Sequence, residues 1–104
     1  MAKVKFVLGK LPDFDLPVDF VMVNGDESRI VFKARHKSAE EIQALYNRED
    51  VRDGDFILEL ASGWNIEDEF NKENVDELIK YYPSAAFALS QTYMRALAGQ
   101  RVKN

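Results

Sequence analysis

The chain has 104 residues, no cysteine and a formal net charge of −4. This length suits one domain with one core, and the lack of cysteine excludes disulfides, thiol nucleophiles and zinc–thiolate sites. The negative charge argues against nucleic acid as the main partner, and no apolar run approaches the roughly 18 residues of a membrane span. We therefore expect one domain over residues 1–104, without a secretion signal, in a reducing cytoplasm.

Three short segments show the alternation of half-buried strands. They are residues 3–8, 18–23 and 29–35, and the segment rich in Asp and Pro before the second is interpreted as a loop. The turn residues at positions 24–28, between the second and third strands, indicate a hairpin.

The register of this hairpin requires a loop of odd length, although Asn-Gly often forms a two-residue turn. A shift of one residue would turn the apolar face of one strand away from that of its neighbour. We also predict a positive φ at Gly25. The residues expected on the shared apolar face are Val18, Phe20, Met22, Ile30, Phe32 and Ala34.

Two helices are predicted next. Ser38 and Glu41 have the spacing of a capping box, and the first helix should end near Arg48. Asp53 or Asp55 should cap the second helix. The second helix is expected to carry Ile57, Leu60, Ala61 and Trp64 on one face, with Gly63 as its left-handed C′ residue. Trp64 should pack inward, so that its loss costs about 3–5 kcal/mol.

The last two helices are predicted to meet at Pro83, which ends one and suits the first turn of the next. Asn71 is the expected N-cap of the third helix, and Gly99 should close the fourth. The stripe of the third helix is Val75, Leu78, Ile79 and Tyr82; that of the fourth is Ala86, Leu89, Tyr93 and Leu97, widened by Phe87 and Met94.

These elements predict an α+β fold in which a small antiparallel sheet of about three strands packs against about four helices. Residues 1–37 form the strand-rich part and residues 38–100 the helical part, with the last three helices in the carboxy-terminal half. Residues 101–104 are expected to be a mobile basic tail.

No pattern predicts catalysis, a cofactor or a metal. His36 is the only histidine, has no partner at motif spacing and is interpreted as a solvated polar residue. The acids of residues 67–69 and 76–77 do not match a calcium loop. Asp13, Asp15 and Asp19 are interpreted as loop residues rather than as paired catalytic carboxylates.

Charge and aromatic residues leave alternatives open. Residues 49–77 hold eleven of the eighteen acids, whereas only bases follow Leu78. This distribution fits helix dipoles, or else a head-to-tail self-association of the acidic patch with the basic tail. Tyr81 and Phe87 lie off the main stripes and are either partly buried or part of a partner-binding patch. The candidate protein-interaction residues are Tyr81, Phe87, Glu67, Asp68, Arg95 and Arg101.

The carboxy-terminal half contains, in chain order, Phe56, Gly63-Trp64, Asp68-Glu69-Phe70, Glu73-Asn74, Tyr82-Pro83, Tyr93 and Lys103-Asn104. In this order the segment resembles a family of tail assembly chaperones from tailed bacteriophages and prophages, and the upstream half is similar in plan. The chain departs from the family at Asn71-Lys72, where Ser or Thr followed by Pro is expected. That difference concerns a helix cap rather than a site.

The resemblance implies a non-enzymatic protein in the cytoplasm of the bacterial host. Such chaperones bind the long, largely helical tape-measure protein, assist the polymerisation of tail-tube protein and are absent from the mature virion. The implied partners are these two proteins. The alternative hypothesis is a structural minor tail or connector protein, which would remain in the virion.

Overall fold

The computed structural model describes residues 6–99. A hairpin comes first, then two helices, a short strand and two more helices. The strands are β1 (Phe14–Val21), β2 (Glu27–Ala34) and β3 (Ala61–Trp64), and the helices are α1 (Ala39–Asn47), α2 (Asp53–Leu60), α3 (Lys72–Tyr81) and α4 (Pro83–Leu97). The predicted α+β fold, with a three-stranded antiparallel sheet and three helices in the carboxy-terminal half, is confirmed.

The hairpin has the predicted odd-length loop. Val18 lies opposite Ile30, and the five residues 22–26 connect the two strands. Gly25 has a φ of 94°, and the Met22 amide donates to the Asp26 carbonyl at 2.7 Å. In this register the apolar side chains of both strands face the helices, as expected from the alternation.

β1 begins at Phe14, four residues earlier than predicted. Of the three acids interpreted as loop residues, only Asp13 lies outside the strands, and that interpretation was wrong for Asp15 and Asp19. The alternation of Phe14, Leu16 and Val18 continues through the segment, and the intervening acids point outward. Lys33 Nζ donates to Asp15 Oδ1 at 2.8 Å across the hairpin. Pro17 is tolerated because β1 is an edge strand of the sheet in the described residues.

The third strand is not the one predicted. Residues 6–8 form no strand and are exposed, and residues 3–5 lie outside the described part of the chain. Instead, β3 pairs with the other edge of β2, with Trp64 opposite Phe32. α2 therefore ends at Leu60, and Gly63 is extended rather than a left-handed C′ residue. The free backbone groups of β2 explain this: Ala61–Trp64 satisfies them, whereas a longer helix would not.

Most helix ends follow the predictions. Ser38 and Glu41 form the capping box, and Asn71 caps α3 by accepting from the Asn74 amide at 2.8 Å. Pro83 is the first residue of α4. α2 differs, because its N-cap is Arg52, whose amide donates to Asp55 Oδ2 at 3.1 Å.

The core lies between the inner face of the sheet and the helices. α4 packs on β1 and α2, and α3 packs on α2 and α4. Tyr93 is buried as predicted, but Trp64 is only half-buried, and Tyr82, Leu97, Phe87 and Met94 are exposed. The buried side chains are Leu16, Val18, Phe20, Ile30, Phe32, Ala34, Ile42, Leu45, Ile57, Leu60, Ala61, Val75, Ala85, Ala86, Leu89 and Tyr93.

None of the helices within residues 6–99 is both long enough and apolar enough to cross a lipid bilayer.

Candidate functional site

An open groove of about 520 Å³ lies between the hairpin end of the sheet and α3. Its volume falls within the range of about 300–1,000 Å³ that is typical of ligand sites. The apolar lining consists of Phe20, Met22, Ile30, Trp64, Ile66 and Leu78, and the polar lining of Ser28, Arg29, Asp68, Asn74 and Glu77, together with Tyr81 and Tyr82.

The floor of the groove comes from the strand alternation. Phe20 and Ile30 point to the inner face of the sheet, and Leu78 approaches them from α3. The ring of Tyr82 meets that of Phe20 edge-on, with centroids 6.5 Å apart. The floor is therefore apolar, and Met22 in the loop adds a flexible apolar side chain to the lining.

Trp64 forms one wall because β3 places it beside Phe32, with ring centroids 6.3 Å apart. Phe70 supports it from behind in an edge-on contact at 5.1 Å. The indole Nε1 donates to the Asp68 carbonyl at 2.7 Å, which holds the turn after β3. The indole is thus fixed in place while part of its surface remains open to the groove.

The groove has an acidic side. Asp68 and Glu77 both line it and are exposed, and within residues 6–99 neither carboxylate takes part in an ion pair. Arg29 is the cation of the lining, but its Nε and Nη2 donate to the two carboxylate oxygens of Asp19 at 2.6 and 3.1 Å. This pairing raises the pKa of Arg29 above its ordinary value. Residues 66–77 carry six acids against the single base Lys72, so negative charge dominates this side.

The structure brings together two of the predicted interaction residues. Tyr81 and Asp68 both line the groove, whereas Glu67 is exposed next to Asp68 without lining it. Phe87 and Arg95 are exposed on α4, outside the groove. Arg101 lies outside the described residues.

Several lining residues were not predicted as site residues: Met22, Trp64, Ile66, Glu77, Leu78 and Tyr82. The alternation over the predicted strand 18–23 places Met22 on the apolar face, which is a usable signal. Trp64 was assigned to a helix face, and this error hid its position in the groove wall. A residue pattern does not show where α3 leaves the sheet uncovered.

His36 is a partly exposed polar residue that also accepts a hydrogen bond from the backbone. It is half-buried, and its Nδ1 accepts a hydrogen bond from the Leu11 amide at 2.8 Å. A smaller pocket of about 230 Å³ lies beside it, lined also by Tyr93 and Leu97. This hydrogen bond links the segment before β1 to the residues just after β2.

The carboxylates of the amino-terminal half do not converge on one point. Asp13 accepts from the Ser62 hydroxyl at 2.6 Å, while Asp15 and Asp19 each bind a different base of β2. Between residues 6 and 99, no three His, Cys, Asp or Glu side chains are grouped so that they would hold a metal ion. The apolar floor and the acidic side of the groove suit the binding of apolar and basic groups.

A family model described as phage tail assembly chaperone matches residues 1–104, the whole chain. No curated protein and no solved structure matches the chain significantly.

Proposed function

Because the chain belongs to the phage tail assembly chaperone family, we propose that it binds the tape-measure protein and assists the polymerisation of tail-tube protein. The observation that carries this proposal is the match of the family over all 104 residues. In this role the protein catalyses no reaction, works in the cytoplasm of the bacterial host and is left out of the mature virion.

The groove suits the task of covering a helical client. A long, largely helical client exposes apolar helix faces before the tail tube encloses it. A groove with an apolar floor and aromatic walls can cover such a face by the helix-in-groove mode of recognition. Many chaperone copies along one client would also act together, since each occupied segment keeps part of the client from aggregating.

Exposed aromatic residues support a binding role. Tyr81 is 58% exposed and Phe87 is 66% exposed, and large exposed apolar groups are typical of interaction surfaces. We propose that both contact the client, together with the exposed charges of Glu67, Asp68 and Arg95. Arg101 in the terminal segment belongs to the same proposal.

Co-expression tests the function directly. The tape-measure protein encoded beside this gene should be found in the soluble fraction when the two are produced together. A coiled-coil protein of similar length from an unrelated source is the matched control and should gain nothing. A tape-measure protein that stays insoluble at every chaperone level would reject the proposal.

Mass spectrometry of purified virions separates this function from the structural alternative. A chaperone that departs should be absent from the particle, whereas a minor tail or connector protein would be present in a fixed ratio to the tube protein.

A further inference from the structure

We propose that the groove between the hairpin and α3 binds one amphipathic helix of the client, in which a Lys or Arg borders the apolar stripe. The inference rests on the proposed function for the existence of a client. It adds where the client binds, in what conformation and with which charge.

The apolar part of the recognition comes from side chains that the fold leaves partly open. Trp64, Ile66, Leu78 and Met22 are half-buried, and they surround the nearly buried floor of the groove. Covering them removes apolar surface from water, which is the main source of affinity in grooves of this kind.

A helix suits this groove better than an extended peptide. Phe20, Ser28 and Ile30 present their side chains to the groove from the inner face of the sheet, and β1 and β2 pair with each other along their shared edge. α3 forms the opposite wall, with its backbone bonded within the helix. The backbone N–H and C=O groups of a sheet point along the sheet toward neighbouring strands. An extended segment lying across the inner face would therefore leave its own N–H and C=O groups without partners, whereas a helix satisfies them internally.

The charge of the occupant follows from the acidic side of the groove. Asp68 and Glu77 have no ion-pair partner within residues 6–99, while the nearby cation Arg29 is held by Asp19. A basic side chain next to the apolar stripe would meet these two carboxylates, and an acidic one would be repelled. Complementary charge of this kind fixes the orientation of the bound helix and discriminates between segments.

The single Trp makes the test direct, because Trp64 lines the groove. Overlapping 20-residue peptides that cover the tape-measure protein are titrated into the full chain while the Trp64 emission is followed. The peptide that binds best should carry apolar residues at helical spacing with a flanking Lys or Arg. Replacing that base with Glu should weaken binding about tenfold or more, and a central Pro should abolish it.

Charge reversal on the chaperone completes the test. The double variant Asp68→Lys/Glu77→Lys should bind the natural peptide about tenfold more weakly or worse, and should recover affinity for the Glu-substituted peptide. Glu40→Lys/Glu49→Lys, which makes the same charge change at exposed positions outside the groove, is the control and should keep the wild-type preference. Circular dichroism and melting confirm that both variants fold.

Two results would overturn the inference while leaving the proposed function intact. The first is that the wild-type chain keeps the client soluble, yet none of the client peptides changes the Trp64 emission on titration. The other is equal affinity of the groove variant and the control variant for the natural peptide. A failure of the proposed function is recognised separately, because the wild-type chain would then leave the tape-measure protein insoluble.

Discussion

The hydroxyl of Tyr93 donates a hydrogen bond to the Arg35 carbonyl oxygen at 2.5 Å, and so ties the middle of α4 to the segment just after β2. The same hydroxyl accepts from the Lys37 amide at 3.0 Å. Burial raises the pKa of the phenol above its ordinary value, although the Lys37 hydrogen bond acts in the opposite direction. The Tyr93 hydroxyl thus provides hydrogen-bond partners for two backbone groups that have none in a strand or helix.

Replacement of Tyr93 by Phe should lower the free energy of unfolding by about 1–2 kcal/mol, because the Lys37 amide loses its partner in a partly buried place. Urea denaturation measures the change. Tyr46→Phe is the control, since the Tyr46 hydroxyl bonds the Ser90 hydroxyl at an exposed position where water can replace it. Equal losses in the two variants would show that the hydrogen bonds of Tyr93 to the backbone contribute no more than the exposed hydroxyl bond of Tyr46.

Trp64→Ala should destabilise the fold by about 2–4 kcal/mol, somewhat less than a fully buried Trp would cost. The variant loses the ring contacts with Phe32 and Phe70 as well as the hydrogen bond to Asp68. Trp64→Phe keeps most of the packing and should cost about 1 kcal/mol through the lost donor. Thermal melting is the measurement, and an unchanged midpoint for Trp64→Ala would contradict the packing described for β3.

Acid should weaken the start of α1. The Ser38 amide donates to Glu41 at 2.8 Å and holds the pKa of that carboxyl below its ordinary value of 4.5. The stabilisation is therefore complete above pH 4.5 and is lost as the pH falls through the lower value of the folded state. Glu41→Gln should remove this part of the pH dependence. The measurement is the melting temperature of the wild type and of Glu41→Gln at pH 7 and pH 3. An equal drop in both proteins would refute the contribution of Glu41 to the acid sensitivity.

Gly25→Ala should cost about 1–2 kcal/mol, because an L side chain is strained at a φ of 94° even though a Cβ there would meet no atom within 4 Å. Gly63→Ala is the matched control: Gly63 lies in β3, and its Cβ would make an ordinary contact with Lys33 at 3.7 Å. Chemical denaturation of both variants should show a clear loss for the first and little change for the second. A large loss for Gly63→Ala would mean that this glycine is not in an extended strand.

Tyr81→Ala and Phe87→Ala should each leave unfolding within about 0.5 kcal/mol of wild type, since both side chains are exposed. Tyr81→Ala should reduce the amount of soluble tape-measure protein more strongly, because Tyr81 lines the groove and Phe87 does not. Quantified co-expression gives the comparison. A destabilised Tyr81→Ala variant with unchanged client solubility would reverse the role given to this residue.

Local signals in the sequence determined most of the elements. The capping box of Ser38, the N-cap Asn71 and the break at Pro83 act within one helical turn, so their residues alone predict where α1, α3 and α4 begin. The alternation on both sides of Gly25 settled the hairpin register, since a slip would expose a whole apolar face.

Tertiary structure alone decided the third strand and the groove. Ala61–Trp64 continues the helical spacing of α2, yet it forms β3. The reason is that the outer edge of β2 has backbone groups that a strand can pair with, whereas a longer α2 would leave them without hydrogen bonds. The opening beside Trp64 depends on how far α3 stands from the hairpin. Both outcomes arise from contacts between segments about thirty or more residues apart, and the spacing of residues within one segment carries no information about them.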